Sequence, residues 1–529
     1  MTAEPYRAEI QRNLPRLLAL MDRDPTSASY GMGDRYHWAW GLIDFGNGTF
    51  QGAAHGLARL WKHGLWPYPT PQETFIARID ALFRGAALLT RPDGSLEEAL
   101  PREGSYCVTA LVAFDLLCAL DLLHDKIDPT IRSRWQAIIA PMIGYLLRAD
   151  ETHAIISNHL ATAVAALARW HRLAQDSRAE AHGRQLLDRI LHHQSDEGWF
   201  REYQGADPGY QSLCAYYLAD VHRQRPDWAL LEPLRSSFRF LWHFAHPDGS
   251  FGGLYGSRCT RFYYPAGALA LADQIQEAAA LADFMAQSIA QQRVVTLSAI
   301  DEPNLIPTFN AYCWAAVLAQ EHAPARNPID SASSTVPEPT LPALSAEPYR
   351  HHYREAGLLI DRGANHYSII ATRKGGVVYH FVDGKQTVLD AGVVIRNPHG
   401  RLGSSQTESE PADVSADRDQ LALSSPVSPM PKQLPNPWQF LILRLLSVTA
   451  FRVPALREWV KRVLVRLLIT GAKPWPARNR RTIQLGANLK IRDDTEISNG
   501  YEVVAGIPEF VPIHMASQGY WQVQDEALS

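Results

Sequence analysis

Ser157-Asn158-His159 heads the apolar run SNHLATAVAALARWHRL (157–173). An amide and an imidazole at a helix start suit the recognition of a carboxylate, since the amide donates hydrogen bonds and the imidazole takes or shares a proton. Ser157 or Asn158 would serve equally as an N-cap, a role that needs no ligand. Further on, Glu197-Gly198-Trp199-Phe200-Arg201-Glu202-Tyr203 runs into Gly205-Ala206-Asp207-Pro208-Gly209-Tyr210. This places Glu202, Asp207, an arginine and two tyrosines on one connection. A tyrosine at a helix start near cations can have its pKa lowered toward acid–base use, or can simply cover the helix end. A third segment, Asp248-Gly249-Ser250-Phe251-Gly252-Gly253-Leu254-Tyr255-Gly256-Ser257-Arg258, leads to Arg261, Tyr263 and Tyr264. Its glycines allow close backbone approach to a ligand or only make turns, and Arg258 is available as an anion ligand.

Near the N-terminus, Asp34-Arg35-Tyr36-His37-Trp38-Ala39-Trp40 precedes Asp44, Phe45 and Gln51. Trp38 and Trp40 could stack on sugar rings while Asp34, Arg35 and Gln51 read hydroxyls, although the same residues suit a helical core. Glu97-Glu98 with Arg102-Glu103 and Tyr106 form an acidic connection that reads first as a solvated loop and second as part of the same mouth. Tyr255, Tyr264, Glu103, Glu202 and Asp207 complete the set expected to line a substrate. No P-loop, GxSxG, HExxH or kinase set is present. The five cysteines (Cys107, Cys118, Cys214, Cys259, Cys313) have no metal-ligand spacing, so buried reduced thiols are expected. No cofactor is expected, with a structural divalent metal left open.

The elements that must position these groups are helical from Thr74 to about Gln320: 110–123, 157–173, 209–224 and 263–292 all repeat apolar residues at i, i+3, i+4 and i+7. Between helices stand RPDGSLEEALPREGS, SDEGWFREYQGADPG and HPDGSFGGLYGSRCT, three alike connections that make a weak repeat of helical hairpins. Hairpins whose long connections gather at one mouth imply an α/α toroid over 1–324, with a plain helical solenoid or bundle as the alternative. Residues 325–348 read as a Pro/Ser-rich linker. From 349 to 529 short β-branched runs punctuated by Gly and Asp predict an antiparallel β-sandwich, for an α+β multidomain chain. A helical insertion at 436–476 interrupts it, and across 431–492 there are 13 Lys/Arg against one acid, Glu458. That segment either packs on the sandwich with a solvated cationic face or makes peripheral contact with an anionic membrane.

Composition narrows the function class. A hydrophobic share of 46% with 20% charged residues is globular usage, and a net charge of -4 offers no general attraction to nucleic acid. The N-terminus is too charged for a signal peptide and no apolar run reaches bilayer length, so a cytoplasmic location is expected, with the basic helices docking on the inner membrane face as an option.

Asn158-His159 opening a ring helix and the loop ending in Tyr210 make the chain resemble the heparinase II/III-like polysaccharide lyases. That resemblance implies an α/α toroid joined to an antiparallel sandwich and β-elimination of a uronic-acid-containing glycan. It implies that Asn158, His159 and Arg258 neutralise the uronate carboxylate while Tyr210 serves as base, acid or both. The sandwich of that family adds a histidine, for which His366 or His380 is the counterpart here, although its His-x-His-x-Asp segment is absent. The expected partner is an acidic oligo- or polysaccharide. An inverting glycoside hydrolase using two of Glu98, Glu103, Glu202 and Asp207, a uronyl C5-epimerase, and a non-catalytic factor in surface polysaccharide assembly stay open beside it.

Overall fold

The three Gly- and Asp-rich connections share one turn, and it redirects the chain the same way each time. In a computed structural model, which describes residues 2–39, 43–98, 101–151, 154–203, 205–322, 340–410, 414–417, 419–430, 436–465 and 473–512, Gly94, Gly198 and Gly249 all take left-handed φ values of +84°, +95° and +88°. In two of the turns the preceding aspartate holds the serine that follows: Asp93 accepts from Ser95 N (3.0 Å) and Oγ (2.6 Å), and Asp248 from Ser250 N (2.9 Å) and Oγ (2.6 Å). Such Asx turns satisfy the backbone locally where no helix or strand can.

Each turn passes the chain from an outer helix to an inner one. The inner helices are Ala53–Lys62, Tyr106–Leu122, Ser157–Ala174, Pro208–Gln224, Ala266–Leu271 and Glu302–His322. Each packs on the next, and the last returns to the first, closing a ring. The outer helices Glu4–Ala19, Gln72–Leu89, Pro129–Leu146, Ser177–His192, Leu231–Leu241 and Gln276–Ala290 lie against them. Because inner and outer helices alternate along the chain, all inner helices run the same way and their N-termini meet at one mouth. Tyr106–Leu122 is buried along nearly its whole length, as a helix enclosed on both sides must be. The ring's interior packs paired polar groups among aromatics: Arg169 pairs with Asp220 and lies over the Phe114 ring, and His55 Nδ1 lies 2.8 Å from Asp115.

The second half is antiparallel throughout. One sheet runs in the order β1(Tyr349–Tyr353), β2(Leu358–Arg362), β3(His366–Ala371), β4(Val377–Val382), β5(Lys385–Asp390). The others use β6(Val394–Arg396), β7(Leu402–Ser404), β8(Val414–Ala416), β9(Gln420–Pro426), β10(Ser428–Pro429), β11(Ala477–Gln484), β12(Lys490–Ile497) and β13(Glu502–Val504), in the orders β10-β7-β6-β13 and β12-β11-β9-β8. Leu359, Ile370 and Val378 of the first sheet pack on Leu421, Leu423 and Ile483, which makes a sandwich of the first and third sheets. On the opposite face of the first sheet, Tyr367, Ile369, Tyr379 and Phe381 join the core of the helical half. The chain is therefore α+β, with the β1–β5 sheet as the layer shared by both halves.

Residues 325–339 of the expected linker lie outside the described residues, and its last part is packed: Leu341 and Ala343 are buried beside a 3₁₀ turn at Pro342–Leu344. The insertion forms two helices, Pro437–Val448 and Pro454–Val465, between β10 and β11. Asn436 and Gln439 cap the first reciprocally. Only Ser447 and Phe451 are buried among its described side chains; Leu443, Leu446, Ala450, Arg457, Val460 and Val463 are half-buried and the other described side chains are exposed.

Candidate functional site

Ser157–Ala174 begins without a cap of its own. Its N-cap position is Ile156, and the cap comes from 44 residues away: Asn158 N donates to Glu202 Oε1 (3.1 Å) and Asn158 Nδ2 to Glu202 Oε2 (2.8 Å). The expected Ser157 or Asn158 cap is thus corrected. The Asn158 side chain is turned outward to a carboxylate, which the helix N-terminus also favours. Both residues are buried, and burial pushes the Glu202 carboxyl up to about 7 against the opposing pull of Asn158, His159 and Arg258.

His159 Nδ1 lies 2.8 Å from Glu151 Oε2. Burial disfavours its charge, but Cys107 and Glu151 outweigh that and hold the imidazole well above its ordinary value. Arg258 lies across two aromatic faces, 4.7 Å from the Tyr210 ring and 4.9 Å from the Tyr203 ring. Its charge is retained despite burial through Tyr210, Tyr203, Glu202 and Asp207. The Tyr210 phenol is pushed up to about 12 by burial, with Arg258 the strongest influence the other way. Of the two readings of Tyr210, a phenol lowered for acid–base use and a cover over the helix end, desolvation goes against the lowering. Tyr203 takes a left-handed φ of +58°, pinned by its N–H donating to Ile155 O (3.1 Å).

Asp207 is structural: it caps Pro208–Gln224 by accepting from Tyr210 N (3.1 Å), and its second oxygen accepts from Arg258 N (2.9 Å) and Thr260 N (3.3 Å). That one carboxylate ties Tyr210 and Arg258 together. Tyr264 is buried behind Tyr210 as a wall residue. Tyr255 is buried elsewhere, its hydroxyl 2.8 Å from His246 Nε2.

Several expected residues are placed away from this cluster. His366 and His380 alternate onto the sheet face opposite the helical ring: His366 Nε2 lies 3.1 Å from Asp361, and His380 is held by Ser368 Oγ (2.8 Å) and Ala487 O (3.2 Å). A strand's period of two leaves no alternative once Tyr367, Tyr379 and Phe381 face the ring. Gln51 is a buried clamp rather than a sugar reader, accepting from Gly33 N (2.7 Å) and donating to Gly31 O (2.9 Å) and Leu82 O (2.7 Å). Asp34 caps Arg35–Trp38 and accepts from Asn47 N (2.9 Å). Arg35 stacks on Trp38, whose indole donates to Leu20 O (2.8 Å). These three residues shape the rim. Trp40 lies outside the described residues. Glu103 is buried in the 91–105 connection, and Glu98 accepts from Ser105 Oγ (2.7 Å).

Two groups escaped sequence reasoning. Glu151 sits in the connection before Asn158 with no motif around it. Glu408 comes from the sheet half, where a Cβ on Gly205 would stand 2.4 Å from its Oε1. Burial raises its pKa, with Lys374 and Arg373 opposing. Only Gly205 leaves room for that carboxylate, which is a signal visible after folding and not before. Among the described residues no three His, Cys, Asp or Glu are grouped to hold a metal ion.

No protein-family model and no curated protein sequence matches this chain. Solved structures do match. Chondroitin AC lyase of Streptomyces coelicolor A3, in complex with chondroitin sulphate, is 11% identical over 81% of this chain and 67% of its own, with a TM-score of 0.51. Heparinase III is 10% identical over 91% of this chain and 69% of its own, with a TM-score of 0.50. Cellobiose 2-epimerase from Bacillus thermoamylovorans B4167 is 10% identical over 60% of this chain and 99% of its own, at 0.44. At these identities the first two likenesses are of fold, and each extends over helices and sheets alike.

Proposed function

We propose that this chain is an α/α-toroid enzyme that cleaves a uronate-containing glycan by β-elimination, with Tyr210 moving the proton. The observation that carries the reading is Arg258 laid across Tyr210 and Tyr203 beside His159 and the Asn158–Glu202 pair. The C5 proton of a uronate is weakly acidic until its carboxylate is offset by positive charge, which Arg258 and a protonated His159 supply. Tyr210, as phenolate, takes that proton; the C4–O bond breaks as the C4=C5 double bond forms, and the phenol returns the proton to the departing oxygen. In this reading Asn158 Nδ2 keeps one N–H on Glu202 Oε2 and turns the other to the substrate carboxylate. Glu202 is thereby a positioning residue.

The fold of chondroitin AC lyase and heparinase III supports the substrate class. The test is ultraviolet absorbance of the unsaturated product across a panel of uronate polymers and oligomers. Wild type should produce it and Tyr210→Phe should lose it by about 10²-fold or more, the usual scale of acid–base assistance. Absorbance from neither protein with any glycan rejects the reading. A second reading rests on Glu202 and Glu408, two buried carboxyls held above their ordinary values, as a hydrolase pair. Reducing ends released without absorbance would select it.

A further inference from the structure

Apolar surface on this protein is concentrated in one place. Of the seventeen large apolar residues exposed among the described residues, nine lie between Trp438 and Trp459. Trp438 is 73% exposed, Leu445 61% and Trp459 55%, with Phe440, Leu441 and Ile442 beside them. A contiguous apolar surface of this kind marks an interaction site rather than ordinary surface scatter. The rim segment next to it adds exposed Tyr36 and Ile43.

Charge says what covers it. Residues 437–465 carry five Lys/Arg (Arg444, Arg452, Arg457, Lys461, Arg462) against one acid, Glu458, in a chain whose net charge is -4, so the hairpin is cationic where the chain is not. On the hairpin itself Arg444, Arg452 and Arg462 are exposed among the apolar residues. A second copy of the hairpin would bring like charges together. A surface that offers both hydrocarbon and negative charge fits both properties at once. Among the described residues neither helix is long enough to span: at 12 residues each they are about 18 Å long, against about 30 Å of hydrocarbon.

The hairpin is also fixed in orientation. Arg102 Nε donates to Ser447 O (2.9 Å), Arg444 lies 3.4 Å from Asp44, and Arg457 stands near enough to Asp93 to favour its charge. All three anchors belong to rim connections, and the 91–105 connection leads directly into the helix of Cys107, which neighbours His159. We propose that the hairpin 437–465 is a peripheral docking surface for an anionic phospholipid bilayer, inserting its tryptophans and leucines at the interface and holding the mouth of the ring toward the membrane.

Flotation of the full chain with vesicles tests this independently of any turnover. Binding is expected to phosphatidylcholine vesicles containing about a third phosphatidylglycerol, weakened by salt, and not to phosphatidylcholine alone. Leu441→Glu/Leu445→Glu and Arg452→Glu/Arg462→Glu should each reduce partitioning about tenfold or more while circular dichroism and Tm stay unchanged, since these side chains are exposed. Hydrogen exchange on the unaltered protein should show protection of 437–465 on adding anionic vesicles, which keeps the test free of folding effects. Failure of the wild type to float with anionic vesicles overturns the proposal. So does a loss of self-association in Leu441→Glu/Leu445→Glu with flotation unchanged, which would give the face to a second copy.

Discussion

A carboxyl that titrates near neutrality makes Glu202 the residue through which pH acts on this site. In the folded chain its proton is held up to about 7, against an ordinary value of 4.5. Between those values the folded state binds more protons than the unfolded one, so the contribution to stability is complete below pH 4.5 and is lost as pH rises through 7. The difference amounts to about 3 kcal/mol. Urea unfolding from pH 4.5 to 8 should show this decline in the wild type, and Glu202→Gln should flatten it; an unchanged slope would mean the group is ionised throughout. Tyr210 imposes the opposite trend on catalysis. With its phenol near 12, kcat/KM should climb through the alkaline range as the phenolate fraction grows. Arg258→Lys should move that rise to still higher pH, because an ammonium does not stack on two rings as the guanidinium does. Asn158, His159, Tyr210 and Arg258 were legible as a group because each sits in or beside a polar connection at a helix start. Their protonation was not, since it depends on how deeply tertiary packing buries them.

At the scale of elements, the repeat of Asp-Gly turns tells how the hairpins are joined, and its glycines are not equivalent. A Cβ on Gly94 would meet Pro141 O at 2.1 Å and one on Gly198 would meet Ser236 O at 2.3 Å, both backbone atoms of the next outer helix. On Gly249 the nearest atoms are Arg293 Cβ and Cγ at 3.1 Å, a contact that a shift of a few tenths of an ångström relieves. All three have left-handed φ, so each alanine costs about 1–3 kcal/mol in strain, with the carbonyl clash added only at the first two. Thermal unfolding should therefore rank Gly94→Ala and Gly198→Ala well below Gly249→Ala, and equal losses would mean the turns relax independently of their neighbours. The strands show where sequence pattern stops. Alternation separates His366, Ser368 and Ile370 from Tyr367, Ile369 and Ala371, but both sets border apolar neighbours. Nothing local tells which face meets the ring; the partner layers decide it, and they leave both histidines on the far side. The hairpin of 437–465 was legible as helical and basic. Its exposure was not, because an apolar helix in sequence looks the same whether a core or a membrane covers it.

For the whole molecule, the decisive question is whether the two halves act as one unit, since the sheet half delivers Glu408 to a site otherwise built by the ring. Their junction is an apolar layer with a polar tie through it. The buried Lys374 ammonium donates to Leu254 O (2.7 Å) and Gly256 O (2.6 Å), with Cys259 Sγ at 3.2 Å. Beside it the Tyr379 hydroxyl accepts from Leu254 N (3.1 Å), and Gly253 is bare enough for the ring to rest on it. The same loop continues to Arg258 two residues past Gly256, so the lysine that docks the halves also holds the segment from which the arginine reaches Tyr210. Lys374→Met keeps the stem's length and removes its donors, leaving two buried carbonyls unpaired at a cost of about 1–3 kcal/mol each. The expected outcome is a lower Tm together with a fall in kcat larger than the change in KM, as Arg258 loses its register against the tyrosines. Calorimetry should then resolve separate unfolding of the helical and sheet halves where the wild type unfolds in one transition. A variant with a lower Tm but intact kcat would show that the junction stabilises the fold without positioning the site.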